Sequence, residues 1–169
     1  MTDSVPHVVN IKNQWLFDQV EVEFPTPESL RGRSVYQRLC ENNTISPFVV
    51  SEQESKICLD DIYLVDFHRL TIMFSLLEAT RAENEQEQND LVEFFTQIIF
   101  SEPCYLYVGF HQSEPVAAAI VTEFEGSLLV SDIVMKAAES FGSTHEFASS
   151  VVNKWRSSHE FEGSIFIEQ

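Results

Sequence analysis

Residues able to do chemistry are sparse in this sequence, and their spacing excludes more than it assigns. His145-Glu146 begins as a zinc-protease pair does, but Ser149 stands where the second histidine would be needed. Asp60, Asp61 and Asp66 offer carboxylates for a cation or an amine, although acidic turns at strand ends are also simply solvated. Arg31 and Arg33 form an RGR triplet that suits a phosphate, and nearby carboxylates would suit them equally. Asp132 is a single carboxylate inside the apolar run Leu128–Met135, where alternation turns it to solvent or to a helix-capping bond. Cys40, Cys58 and Cys104 are odd in number and lack any CxxC spacing, so buried free thiols are expected and no metal site is. Nucleophile elbow, Walker loop and dinucleotide fingerprint are all missing from the sequence.

The elements that must position these residues follow from periodicity. Tyr105–Phe110 and Pro115–Phe124 flank His111-Gln112-Ser113-Glu114 as an antiparallel hairpin. Leu128–Met135 follows the Glu125-Gly126-Ser127 turn as a third strand, and Ala117-Ala118-Ala119 permits close approach on both strand faces. His145–Arg156 places Phe147, Val151, Val152 and Trp155 on one helix face, and 163–167 reads as a final strand. Upstream, Ile57–Phe67 alternates between strand and acidic turn. Leu70–Arg81 predicts a largely buried helix, 82–90 a solvated mobile loop, and Asp90 the N-cap of a helix over 91–100. Val8–Ile11, Trp15–Phe24 and Pro47–Val50 predict short strands, with a helix over Ser29–Cys40 between the last two.

At 169 residues, 44% of them hydrophobic, the chain has room for one domain with one embellishment. No apolar run approaches the ~20 residues of a membrane span, and the N-terminus lacks the pattern of a secretory signal. A cytoplasmic protein is expected. The formal charge is −17, of which residues 1–55 supply −4 and residues 56–169 supply −13. Such a field repels nucleic acid and attracts a cationic small molecule or a basic protein. It also keeps a protein soluble whatever it binds.

From about Lys56 onward the order β-α-α-β-β-β-α-β resembles the acyl-CoA-dependent N-acetyltransferase (GNAT) superfamily. The resemblance rests on YLYVGFHQSEPVAAAIVTEF and LLVSDIVM and covers roughly two thirds of the chain. It implies an α/β (α+β) fold with a mixed, mainly antiparallel central sheet flanked by helices. Residues 56–169 would form the acetyltransferase-like domain, and residues 1–55 an N-terminal extension, with short strands and a helix, packed on it. It further implies acetyl-CoA or another acyl-CoA as cofactor, with Ile133, Val134 and Met135 along the pantetheine arm. Gly142, Ser143 and Thr144 would meet the pyrophosphate through backbone N–H groups, and Asp132 would be a base of raised pKa acting on the substrate amine. Within the loop Glu139–Thr144, Gly142 matches the family pattern, while Glu139 replaces its basic or amide residue and Thr144 its second small one. Family members continue past the fifth strand, so Trp15–Phe24 and Pro47–Val50, or a second subunit, would fill the open sheet positions. Two functions follow: acyl transfer to an amine, or a catalytically inactive binding or regulatory module, alone or in a homo-oligomer.

Overall fold

The computed structural model describes residues 5–53, 55–136 and 138–169, the side chains of 138 and 139 apart. The elements run α1 (His7–Asp18), α2 (Pro27–Cys40), β1 (Ile45–Pro47), a 3-10 turn (Leu59–Asp61), β2 (Ile62–Leu64), α3 (His68–Ala79), α4 (Glu85–Phe95), β3 (Cys104–His111), β4 (Glu114–Phe124), β5 (Ser127–Met135), α5 (Ala138–Phe141), α6 (Thr144–Arg156) and β6 (Ser164–Glu168). Six strands form one sheet in the order β1-β6-β5-β4-β3-β2. Every pairing is antiparallel except β5 with β6. From β2 onward this is the mixed sheet that the sequence predicts, and the expected element order with the four-residue α5 added before α6.

The sheet separates two apolar layers. Trp15, Tyr36, Phe74 and Phe94, from α1 to α4, pack with Leu106, Val108, Ala118 and Ile120 on one face. On the other face Phe147, Val151 and Trp155 of α6 pack with Tyr107, Ala117, Ala119 and Val130. The alanine triplet therefore admits helices from both sides. Gly109 serves the same end, because a Cβ there would lie 2.9 Å from the Phe147 ring. Both hairpins turn on two residues of positive φ, Gln112-Ser113 and Glu125-Gly126, whose twist matches that of the strands.

The N-terminal strands need correction. Val8–Ile11 and most of Trp15–Phe24 belong to α1 and the turn after it. Val8, Val9, Lys12, Trp15 and Leu16 are the buried residues of α1, a helical stripe that overrides the local alternation of Val20, Val22 and Phe24. Val22 and Phe24 are exposed, so that alternation marks no sheet face. Thr26 caps α2 by accepting from Ser29 N–H, with Pro27 at the first helical position. The strand expected at Pro47–Val50 lies at Ile45–Pro47 and occupies the sheet position beside β6. Thr44 and Gln169 exchange backbone hydrogen bonds, and Phe48 N–H donates to Ile165 O. Alternation then leaves Pro47, which has no N–H, at a position where none is needed.

The acidic stretch 82–90 is the second correction. Asn84, not Asp90, caps α4 by accepting from Glu87 N–H, and Glu85 and Glu87 lie in the first helical turn. Carboxylates there complement the helix dipole, so a run that reads as a solvated loop is instead a helix start. Asp90 is buried and accepts from Nε and Nη2 of Arg31 at 3.2 and 3.3 Å. Arg33 pairs with Glu21, so both members of the RGR triplet are held by carboxylates. Of the cysteines, Cys104 is buried, Cys40 is half-buried and Cys58 is exposed. Burial of all three is therefore not found.

Candidate functional site

β5 outruns its parallel neighbour. Pairing with β6 extends from Ser127 opposite Ser164 to Val130 opposite Ile167, and Ser131–Met135 lie beyond it. A register shift against β4 falls between Ala118 and Ile120, and Asp132 takes φ 55°, so the strand bends where the pairing stops. Lys136 N–H donates to Val116 O at 2.6 Å. By alternation the peptide groups of Ile133 and Met135 then face away from β4, into the notch. An open cleft of ≈ 480 Å³ lies at this notch, lined by Asn43, Arg81, Asp132, Ile133, Thr144 and Glu168 among others.

A buried ion network forms the floor of the notch. Lys12, fully buried, extends from α1 to Glu168 Oε1 at 2.9 Å and Asp132 Oδ2 at 3.4 Å, bridging β6 and β5 where they separate. Its ammonium also donates to the Tyr36 hydroxyl at 2.8 Å. Arg81 Nη1 reaches Asp132 Oδ1 at 2.9 Å and Glu78 Oε2 at 3.2 Å. Ser131 Oγ donates to Asp132 Oδ2 at 2.7 Å, and Asn43 Nδ2 donates to Glu168 Oε2 at 3.1 Å. Glu78 Oε1 has no partner among the described residues.

These surroundings set the charge states. Burial alone would raise the Asp132 carboxyl, but Lys12, Arg81 and the Ser131 hydroxyl outweigh it and hold the group below the usual carboxylate range. Burial would lower Lys12, and Asp132 and Glu168 reverse that, holding its ammonium above the ordinary lysine value. Glu78 goes the other way. Burial pushes it well above the usual range despite the pull of Arg81, which favours a protonated carboxyl. Lys12 and Arg81 thus face Asp132, Glu168 and Glu78 in a largely buried cluster at the floor of the open cleft.

The structure brings some predicted residues together and separates others. Asp132, Ile133 and Thr144 line one cleft. Asp132 does not have the raised pKa of a general base, because its two cations stabilise the ionised form. Val134 is buried against the helices. Gly142 is buried with φ 150°, and a Cβ there would meet the Ile57 side chain at 3.1 Å and Glu146 Oε2 at 3.3 Å. Ser143 is the N-cap of α6 in a capping box. Its hydroxyl accepts from Glu146 N–H at 3.1 Å, and its own N–H donates to Glu146 Oε1 at 3.4 Å. The helix terminus expected to receive an anion thus holds a carboxylate of its own. The side chain of Glu139 lies outside the described residues. Asp60, Asp61 and Asp66 join no cluster of three or more potential metal ligands among the described residues.

Sequence reasoning missed Lys12, Glu78, Arg81 and Glu168. One signal was available: Lys12 and Glu78 are charged residues on otherwise apolar helix faces, a pattern that demands a buried partner.

No protein-family model and no curated protein sequence matches the chain. Among solved structures it is similar to a GCN5-related N-acetyltransferase from Kribbella flavida, with 9% sequence identity and a TM-score of 0.48 over 75% of this chain. The similarity covers 47% of that protein, so this chain spans about half of its length. No described helix is long and apolar enough to cross a membrane.

Proposed function

We propose that the chain is an acetyltransferase-like module that works by recognition and does not transfer acyl groups. The supporting observation is the Lys12–Asp132–Glu168 bridge at the floor of the notch, which commits the candidate base to two cations. Acyl transfer needs a group that takes a proton from an amine, and a carboxylate held below its ordinary pKa is poorly matched to that task. The residues present do not fit an acyl-CoA as a whole. The free strand edge at Ile133 and Met135 suits a pantetheine arm, but the pyrophosphate position meets the Glu146 carboxylate and a buried Gly142. Net charge favours a cationic small molecule or a basic protein as the ligand.

The free edge of β5 favours a second reading, acyl transfer from acyl-CoA to an amine. Calorimetry and thermal melts with acetyl-CoA, together with a thiol-release assay using spermine as acceptor, separate the two. The expected result is no saturable heat, no shift in melting and no thiol release. Saturable binding with release of free coenzyme A overturns the recognition reading.

A further inference from the structure

We propose that the outer edge of β2 is a docking edge for an extended, basic segment of another protein. β2 is the terminal strand on its side of the sheet. Val65 N–H donates to Leu106 O at 2.8 Å. Alternation therefore directs the peptide groups of Tyr63 and Val65 to β3 and leaves that of Leu64 facing outward. The side chains along this edge are apolar and uncovered: Tyr63, Leu64 and Phe67 are 50, 40 and 52% exposed. Tyr63, Phe67, Met73 and Phe110 line an open cleft of ≈ 470 Å³. Leu64, Phe100 and Tyr105 line a smaller hollow of ≈ 190 Å³. Tyr63 and Leu64 are consecutive in a strand and point to opposite faces. A strand added beside β2 would bond to the Leu64 peptide while its alternate side chains entered the two hollows.

Charge selects the occupant. Asp60 and Asp61 precede the strand and Asp66 follows it, with Glu102 beside the smaller hollow. Arg69 is the one cation among the residues lining the larger cleft. A second copy paired antiparallel about Tyr63, the middle of β2, would bring Asp60 of one chain onto Asp66 of the other, between molecules each carrying −17. A segment with apolar residues in alternation and lysine or arginine at its ends meets the same carboxylates with opposite charge. The notch plays no part in this edge, so acyl transfer found with acetyl-CoA would leave the proposal standing.

The probe is a synthetic peptide of alternating Val and Thr with a Lys pair at each end, titrated into the full ¹⁵N-labelled chain. Binding is expected to protect the Leu64 amide from hydrogen exchange and to weaken as salt is raised. Leu64→Pro is expected to lower affinity about tenfold, because it removes the donor offered to the added strand but no bond to β3. If that variant melts earlier, the double variant Asp61→Lys, Asp66→Lys decides, with the same loss expected at unchanged melting temperature. The proposal is overturned if the peptide fails to bind, if a Glu-ended peptide binds equally well, or if binding leaves Leu64 unprotected. A concentration-dependent dimer that protects Leu64 without peptide also overturns it and assigns the edge to a second copy.

Discussion

Lys12 Nζ lies 2.9 Å from Glu168 Oε1, both side chains shut away from solvent, so the first helix holds the last strand through a buried ion pair. Lys12→Met leaves two carboxylates at the strand divergence with Arg81, Ser131 and Asn43 to offset them. A loss of about 3–5 kcal/mol is expected from a buried pair broken on one side. The double variant Lys12→Met, Glu168→Met should recover most of that loss, since it removes both charges and fills the space. Urea denaturation of the two variants checks this, and equal losses in both would contradict it.

Asp132 and Glu78 should impart opposite pH dependence. The folded Asp132 carboxyl lies below its ordinary value. Its stabilisation is therefore present above the unfolded value of about 4 and lost as pH falls through the folded one. The stability deficit of Asp132→Asn should be large near neutrality and shrink in acid.

Glu78 keeps its proton in the folded state above the point where the unfolded chain releases it. Stability then declines with rising pH, by at most about 1.4 kcal/mol per pH unit, until the raised folded value is passed. Glu78→Gln removes that slope. Its advantage over the parent should be negligible near pH 4 and grow toward neutrality, as measured by denaturant melts across that window.

Gly32→Ala should destabilise the protein although alanine favours helices. The added Cβ would lie 2.0 Å from Asp90 O and 2.6 Å from Phe94 Cβ, where α2 crosses α4 backbone to backbone. Overpacking of this kind costs about 1–3 kcal/mol and exceeds the helix-propensity gain of about 1 kcal/mol. Thermal denaturation gives the sign directly.

Ser143→Ala should cost about 1 kcal/mol through loss of the α6 cap. Glu146→Ala removes the carboxylate from Ser143 N–H and frees the helix terminus for an anion. Pyrophosphate should then raise the melting temperature of this variant and not that of the parent. An equal shift in both would show that Glu146 does not block the terminus.

The central hairpin and β5 were legible because their signals are local. Two short polar turns, the second carrying Gly126 at positive φ, separate apolar runs that alternate or are buried on both faces. The α1 region was not legible in the same way, since Val20, Val22 and Phe24 alternate as a strand does while the buried stripe begins earlier, at Val8. Glu85 to Asp90 look like loop until Asn84 is seen as the cap that makes their charges favourable. The network was hidden for a different reason. Lys12, Glu78, Asp132 and Glu168 belong to four separate elements, and their meeting depends on the sheet order, which no single stretch encodes.

The edge position of β1 bears on how the chain is made. Ile45–Pro47 find their sheet partners in Phe166–Glu168, and Lys12 finds one of its carboxylates at Glu168. During synthesis these N-terminal segments emerge long before their partners exist. Native closure of the β5–β6–β1 region must therefore wait until residues 164–168 have left the ribosome. Until then an apolar helix with a lysine in its face stays unmatched, and that interval is where a chaperone would be most useful.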